Sequence, residues 1–233
     1  MSIITSKVYS AGGNIFILLG SRPTQLEEDI LTSTLYSTLL SQKTGTDQQS
    51  RWLNYNNTLS NLSWTLSDRA TARREFAEST LPELIDSLTE GYLTSPERQA
   101  VSDTFDKLQK QPDSAGVMAA ITQLEQNTQL ASSKIPKLQT ITIDLSIISH
   151  QNILLTIQIT FNTTSVLSSD IFCLTPISAA PNKNYNIRQF SYYFSDTKYA
   201  PIRNEIVRKL GSKTTTELVE IDDPAIEIEG PGQ

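Results

Sequence analysis

One histidine, one cysteine and a few acids and arginines near chain turns are what this sequence offers to covalent or acid–base chemistry. His150 sits in a polar stretch, Ser149-His150-Gln151-Asn152, between two alternating segments. An imidazole there acts as a general base only if Ser149 or a distant carboxylate folds against it. Cys173 lies between Phe172 and Leu174. A cysteine in an apolar run is usually a buried small hydrophobe. Its functional alternatives are a reactive thiol without a local histidine, or a site for a thioester-linked lipid. A buried acyl chain adds about 0.8 kcal/mol of membrane affinity per CH₂ and normally needs a second signal. Ser21 and Arg22 follow Gly20, after an apolar run and just before a helix start at Thr24. Backbone N–H groups at a helix N-terminus beside an arginine form a candidate anion site, although Glu27, Glu28 and Asp29 oppose an anion there.

Other chemistries are absent from the sequence. It contains no G-x-S-x-G, H-E-x-x-H or G-x-x-x-x-G-K-[ST] stretch. The acids Glu217, Glu220, Asp222, Asp223, Glu227 and Glu229 lack the spacing of a calcium loop and read as a solvated face. One cysteine excludes an intramolecular disulfide framework and a multi-thiolate zinc site within one chain. No metal, cofactor or catalytic residue is therefore assigned. A net charge of −6 and a pI near 4.9 argue against nucleic acid as a partner. The aromatic cluster Tyr192, Tyr193, Phe194 and Tyr199 accordingly reads as core packing. Ile15–Leu19 is too short for the roughly 7–15 apolar residues of a signal-peptide core. No window reaches the roughly 18 apolar residues of a transmembrane helix. The chain is expected to be made as a soluble cytoplasmic protein without a signal peptide, with any export taking a non-classical route.

The elements that must position these residues are organised around 138–161, which reads as a hairpin. Ile141, Ile143, Leu145 and Ile147 alternate with Thr140, Thr142, Asp144 and Ser146. Beyond the turn, Ile153, Leu155, Ile157, Ile159 and Phe161 share a face. A period of two marks strands, and this pattern predicts one dry face and one wet face. Lys7–Ser10 and Asn14–Leu19 read as strands joined at Gly12-Gly13. Asn14–Leu19 is apolar enough for a central strand.

A helix with a Thr24/Glu27 capping box is predicted to run to about Gln42, buried on two sides. Arg51–Leu66 reads as helical, and Ser67–Ser79 as a charged helix. Further helices are predicted from Thr80 to Gly91, from Ser95 to about Gln109, from Ser114 to Leu130 and from Tyr199 to Leu210. Strands are expected at Val166–Thr175, Ile187–Ser195 and Thr214–Ile221, followed by an acidic tail.

The fold class is α+β in a single domain, 1–233. N-terminal strands (1–23) and a helical segment (about 24–131) precede a β-rich part with one helix (132–221) and the tail (222–233). The helical segment packs on an antiparallel sheet formed mainly by the C-terminal half, which an N-terminal strand joins.

Without a catalytic constellation, the leading functional reading is a non-catalytic interaction protein acting through protein or membrane contact, its oligomeric state open. A second is a pore-forming or membrane-active virulence factor. It would insert 138–161, whose strands have the roughly 9–11 residues of a transmembrane strand, or anchor through an acylated Cys173. A third is a hydrolase of unrecognised type.

Overall fold

The computed structural model describes residues 4–12, 14–75, 79–110, 129–130, 139–163 and 184–221. Cys173, the expected strand around it, most of the expected 114–130 helix and the acidic tail lie outside the described residues.

The elements run β1 (Ser6–Ala11), β2 (Asn14–Leu19), α1 (Thr24–Thr44), α2 (Gln48–Asn61), β3 (Trp64–Glu75), α3 (Leu81–Thr89) and α4 (Ser95–Lys110). Then follow β4 (Gln129–Leu130), β5 (Gln139–Ile148), β6 (Ile153–Thr163), β7 (Asn184–Phe194), α5 (Asp196–Tyr199), α6 (Arg203–Leu210), α7 (Lys213–Thr216) and β8 (Leu218–Glu220). Among the described residues the strands form one eight-stranded sheet in the order β3-β7-β6-β5-β2-β1-β8, with β4 beside one end of β5. The fold is α+β, and β2 joins the C-terminal strands as the sequence indicates. It does so in parallel with β5, through Ile15↔Leu145 to Leu18↔Ile148, while every other pairing in the sheet is antiparallel.

The β5–β6 hairpin is the middle of this sheet, hydrogen-bonded on its outer sides to β2 and β7. Its odd-numbered apolar residues, Ile141 to Ile147 and Leu155 to Phe161, pack beneath α3 and α4 in one core. Each such side chain contributes about 1.5–3 kcal/mol on burial. The expected wet face is not wet. Thr142, Ser146, Thr156 and Gln158 are all buried. That side carries a second core built on α1, α2 and the aromatic side chains of β7. The alternation reports polarity, and a polar layer can be buried when its hydroxyls and amides pair with one another. Thr142 and Thr160 do so at 3.1 Å.

Four other expectations fail. The expected charged helix Ser67–Ser79 is strand through Glu75, because the chain turns at Ser63 (φ 72°) and Trp64 starts a strand along β7. Its charges resemble a helix surface, but an edge strand carries charge equally well. The Thr24/Glu27 capping box does not form: Pro23 occupies the cap position, and Glu27 instead accepts from Lys7 Nζ at 2.7 Å and Tyr9 Oη at 3.2 Å. The expected 199–210 helix is split at Pro201 into α5 and α6, and the last strand shortens to β8 after the helical turn α7. The Thr80/Glu83 capping box does form.

Gly20 fixes how the hairpin turn seats on the end of β2. It has φ +79°, and a Cβ there would lie 3.0 Å from His150 Cβ. Gly20→Ala is therefore expected to cost about 1–3 kcal/mol. A thermal melt tests this, and an unchanged midpoint would show that the turn does not need this close approach.

Candidate functional site

Of the residues that the sequence marks for chemistry, the structure sets the His150 turn beside the Gly20–Arg22 corner, and Cys173 lies outside the described residues. His150 is half exposed at the hairpin turn, and a distant carboxylate does fold against it. Glu97 Oε1 lies 2.8 Å from His150 Nδ1 and accepts the His150 backbone N–H at 3.0 Å. Glu97 is buried, and its other oxygen accepts from the Thr94 N–H and hydroxyl at the start of α4. Burial works to raise the Glu97 pKa, but the bonds from Thr94 and His150 outweigh it and hold the carboxyl below its ordinary value. Ser149 Oγ accepts the N–H groups of Gln151 and Ile153, which fixes the turn. This dyad clasps α4 to the turn.

Arg22 gives one guanidinium nitrogen to the carbonyls of Leu19 (2.7 Å) and Ser149 (3.4 Å). Its Nε and other terminal nitrogen are buried without partners. Burial pulls its pKa down, against the attraction of Glu27. Ser21 is exposed beside it. An anion at this corner stands as a proposal, with Glu27 set against it.

A cavity of about 50 Å³, lined by polar and apolar surface alike, lies where α1 and α2 cross the face of the hairpin that carries Asp144 and Ser146. At roughly 10–15 Å³ per water it has room for a few waters or a small polar group. Asn14 reaches it from β2, Arg51, Trp52 and Tyr55 from α2, and Asp144 and Ser146 from β5. α2 presents its three residues because Asp47 and Ser50 close a reciprocal capping box that sets the helix start. Gly45 lets the preceding turn lie against Arg51, whose backbone N and side-chain Cγ a Cβ at this position would strike.

Within the cavity Asn14 Nδ2 donates to Ser146 Oγ at 3.1 Å, and Tyr55 Oη lies 3.4 Å from the same oxygen. Asp144 accepts from Gln158 Nε2 at 2.9 Å, and Gln158 accepts from Arg188 at 3.1 Å, a relay across three strands. Burial pushes the Asp144 carboxyl up to about 6, against the bond from Gln158 and the charges of Arg188 and Arg51. Two buried atoms have no partner, Asn14 Oδ1 and the Trp52 indole N–H. Among the described residues no hydroxyl is hydrogen-bonded to Asp144. Nor does any group of three or more His, Cys, Asp and Glu there suit a metal ion.

The sequence singled out none of the cavity except through one signal, Asp144 as the sole charge in the hairpin strands. Arg51 and Trp52 became legible only once α2 was laid across β5.

A second feature is β3, at one end of the sheet. It pairs with β7 alone among the described residues, and its residues from Thr65 to Thr71 are exposed. Tyr193 of β7, opposite Thr65, is also exposed. A register shift interrupts the ladder between Leu66 and Asp68, and pairing is regular from Asp68 to Glu75.

The fold and these two features define an α+β protein with no helix, among the described residues, long and apolar enough to cross a membrane. No family model and no curated protein matches the chain. Among solved structures, 85% of this chain aligns with 82% of the chain of "Structure of the Evf virulence factor", at 8% identity and a TM-score of 0.40. A likeness at that level carries no functional argument.

Proposed function

We propose that this is a non-catalytic interaction protein whose partner is another protein, docked along β3. The observation that carries this reading is the strand's place at the edge of the sheet formed by the described residues. A strand paired on one side presents a row of free N–H and C=O groups, and an extended partner segment can add to it as a further antiparallel or parallel strand. The bulge near Leu66 and the charges of Asp68 and Arg69 guard the first part of the edge against indiscriminate pairing. The regular stretch from Arg69 to Glu75 offers the longer docking register.

The hairpin's position supports contact rather than insertion. Freeing β5 and β6 would break the ladders to β2 and β7 and uncover two cores at once. Anchorage through an acylated Cys173 is a separate membrane proposal, outside the described residues.

Consecutive residues of an edge strand point their N–H groups alternately inward and outward. Of Ala70→Pro and Thr71→Pro, one therefore removes an outward N–H and is expected to leave stability within about 1 kcal/mol, since proline is tolerated at a strand's free edge. That variant should abolish capture of a partner by a photo-cross-linker placed at Ser67, while liposome flotation and dye release stay at baseline. Vesicle leakage by the intact protein, or capture indifferent to the proline, would overturn the proposal.

A further inference from the structure

We propose that the cavity between α1, α2 and β5 is a binding site for a neutral, hydroxyl-rich small molecule, a monosaccharide or the terminal sugar of a glycan. This is independent of the β3 reading. Asn14 and Trp52 both line the cavity and are each more than nine-tenths buried, and each carries a side-chain polar atom without a partner. A buried amide or indole N–H left without a hydrogen bond costs roughly 1–3 kcal/mol. A ligand that entered the cavity and reached these two atoms would complete their pairing. Reversing the Asn14 amide does not cure this: Ser146 Oγ can donate or accept, so one amide atom stays unpaired either way.

The chemistry of the lining narrows the ligand. Trp52 offers only a donor, Asp144 ionised only acceptors and Arg51 only donors, while the free Asn14 atom can be of either kind. A hydroxyl both donates and accepts, so a set of them satisfies all four. With Asp144 ionised, the formal charges of Asp144 and Arg51 cancel, and a phosphate or a bare cation gains little net attraction. The volume fits two or three hydroxyls, with the rest of a sugar ring lying in the open mouth. The hydrogen-bonding edge of a sugar is water-like in size and polarity, as such a cavity requires.

The test is ligand-observed NMR and calorimetry on the full chain at pH 7.5. The probes are glucose, galactose, mannose and N-acetylglucosamine, with glycine as a zwitterionic control and inorganic phosphate as an anionic one. At least one sugar is expected to bind with a Kd of about 1 mM or tighter, a few hydrogen bonds' worth of affinity. Trp52→Phe, which removes the indole N–H, should weaken that binding at least about tenfold, the equivalent of one lost hydrogen bond. Asn14→Leu serves as the second variant, and near-UV circular dichroism confirms the fold of each. Failure of every sugar to bind overturns the proposal. So does tighter binding of glycine or phosphate, or sugar binding that folded Trp52→Phe and Asn14→Leu both leave unchanged.

Discussion

Phe105→Ala is expected to remove about 3–5 kcal/mol of stability, the usual cost of a large aromatic deleted from a packed core. Phe105 is fully buried on α4, in the core that α3 and α4 build over the odd-numbered residues of the hairpin. Its ring lies in the same core as Val101, Leu108, Ile15 and Ile17. α4 is attached to the rest of the fold by this apolar face, by the Glu97–His150 clasp, by the bond from Thr104 to Ser6 at 2.9 Å and by the ion pair of Arg98 with Asp86 of α3 at 3.0 Å. The polar contacts are short but few, so the apolar face carries the docking. Domains of this kind have a total stability on the order of 5–15 kcal/mol, so the loss is a large fraction of the whole. In urea titration the midpoint should fall by about 1–2 M with the slope unchanged. Val207→Ala, at an exposed position of α6, is the matched control and should stay within about 0.5 kcal/mol. A Phe105→Ala loss below about 1 kcal/mol would mean that α4 is held mainly by its polar contacts.

What was legible in the sequence follows the range over which each signal acts. The strict alternation of 138–161 located β5 and β6 to within a few residues, because a period of two is set by neighbours along the chain. Thr80 and Glu83 announced a real helix start for the same reason. Thr24 and Glu27 carried an identical local signal and failed, since Lys7 and Tyr9, distant in sequence, compete for the carboxylate. Ser67–Ser79 failed because charge on an edge strand and charge on a helix face look alike before the strand's partner is known. The cavity is the extreme case. Asn14, Trp52 and Asp144 come from three separated segments, and none has a motif around it. Its one local trace was a lone aspartate among apolar β-branched neighbours, which the expectation of a wet face explained away.

Asp144 also yields the second large prediction, and its sign is opposite to that of most carboxylates. Burial raises its pKa from an ordinary 3.8 to about 6 in the folded chain, so between those values the folded state binds more protons than the unfolded state. Stability from this group is therefore lost as pH rises through about 6 and regained below about 4. The difference corresponds to about 3 kcal/mol, fully felt at pH 8. Asp144→Asn keeps the size and can still accept from Gln158, but it abolishes the charge. The variant should be more stable than the parent by up to about 3 kcal/mol at pH 8, an advantage that fades to nothing near pH 4. Glu97 runs the other way, since its lowered pKa contributes stability that is lost on acidification. It is common to both proteins, so comparing them at each pH cancels it. Chemical denaturation at pH 4, 6 and 8 decides the matter, and a variant equally or less stable at pH 8 would sink the idea. The same substitution should weaken the sugar binding proposed for the cavity while it strengthens the fold, and a merely structural aspartate would not separate those two effects.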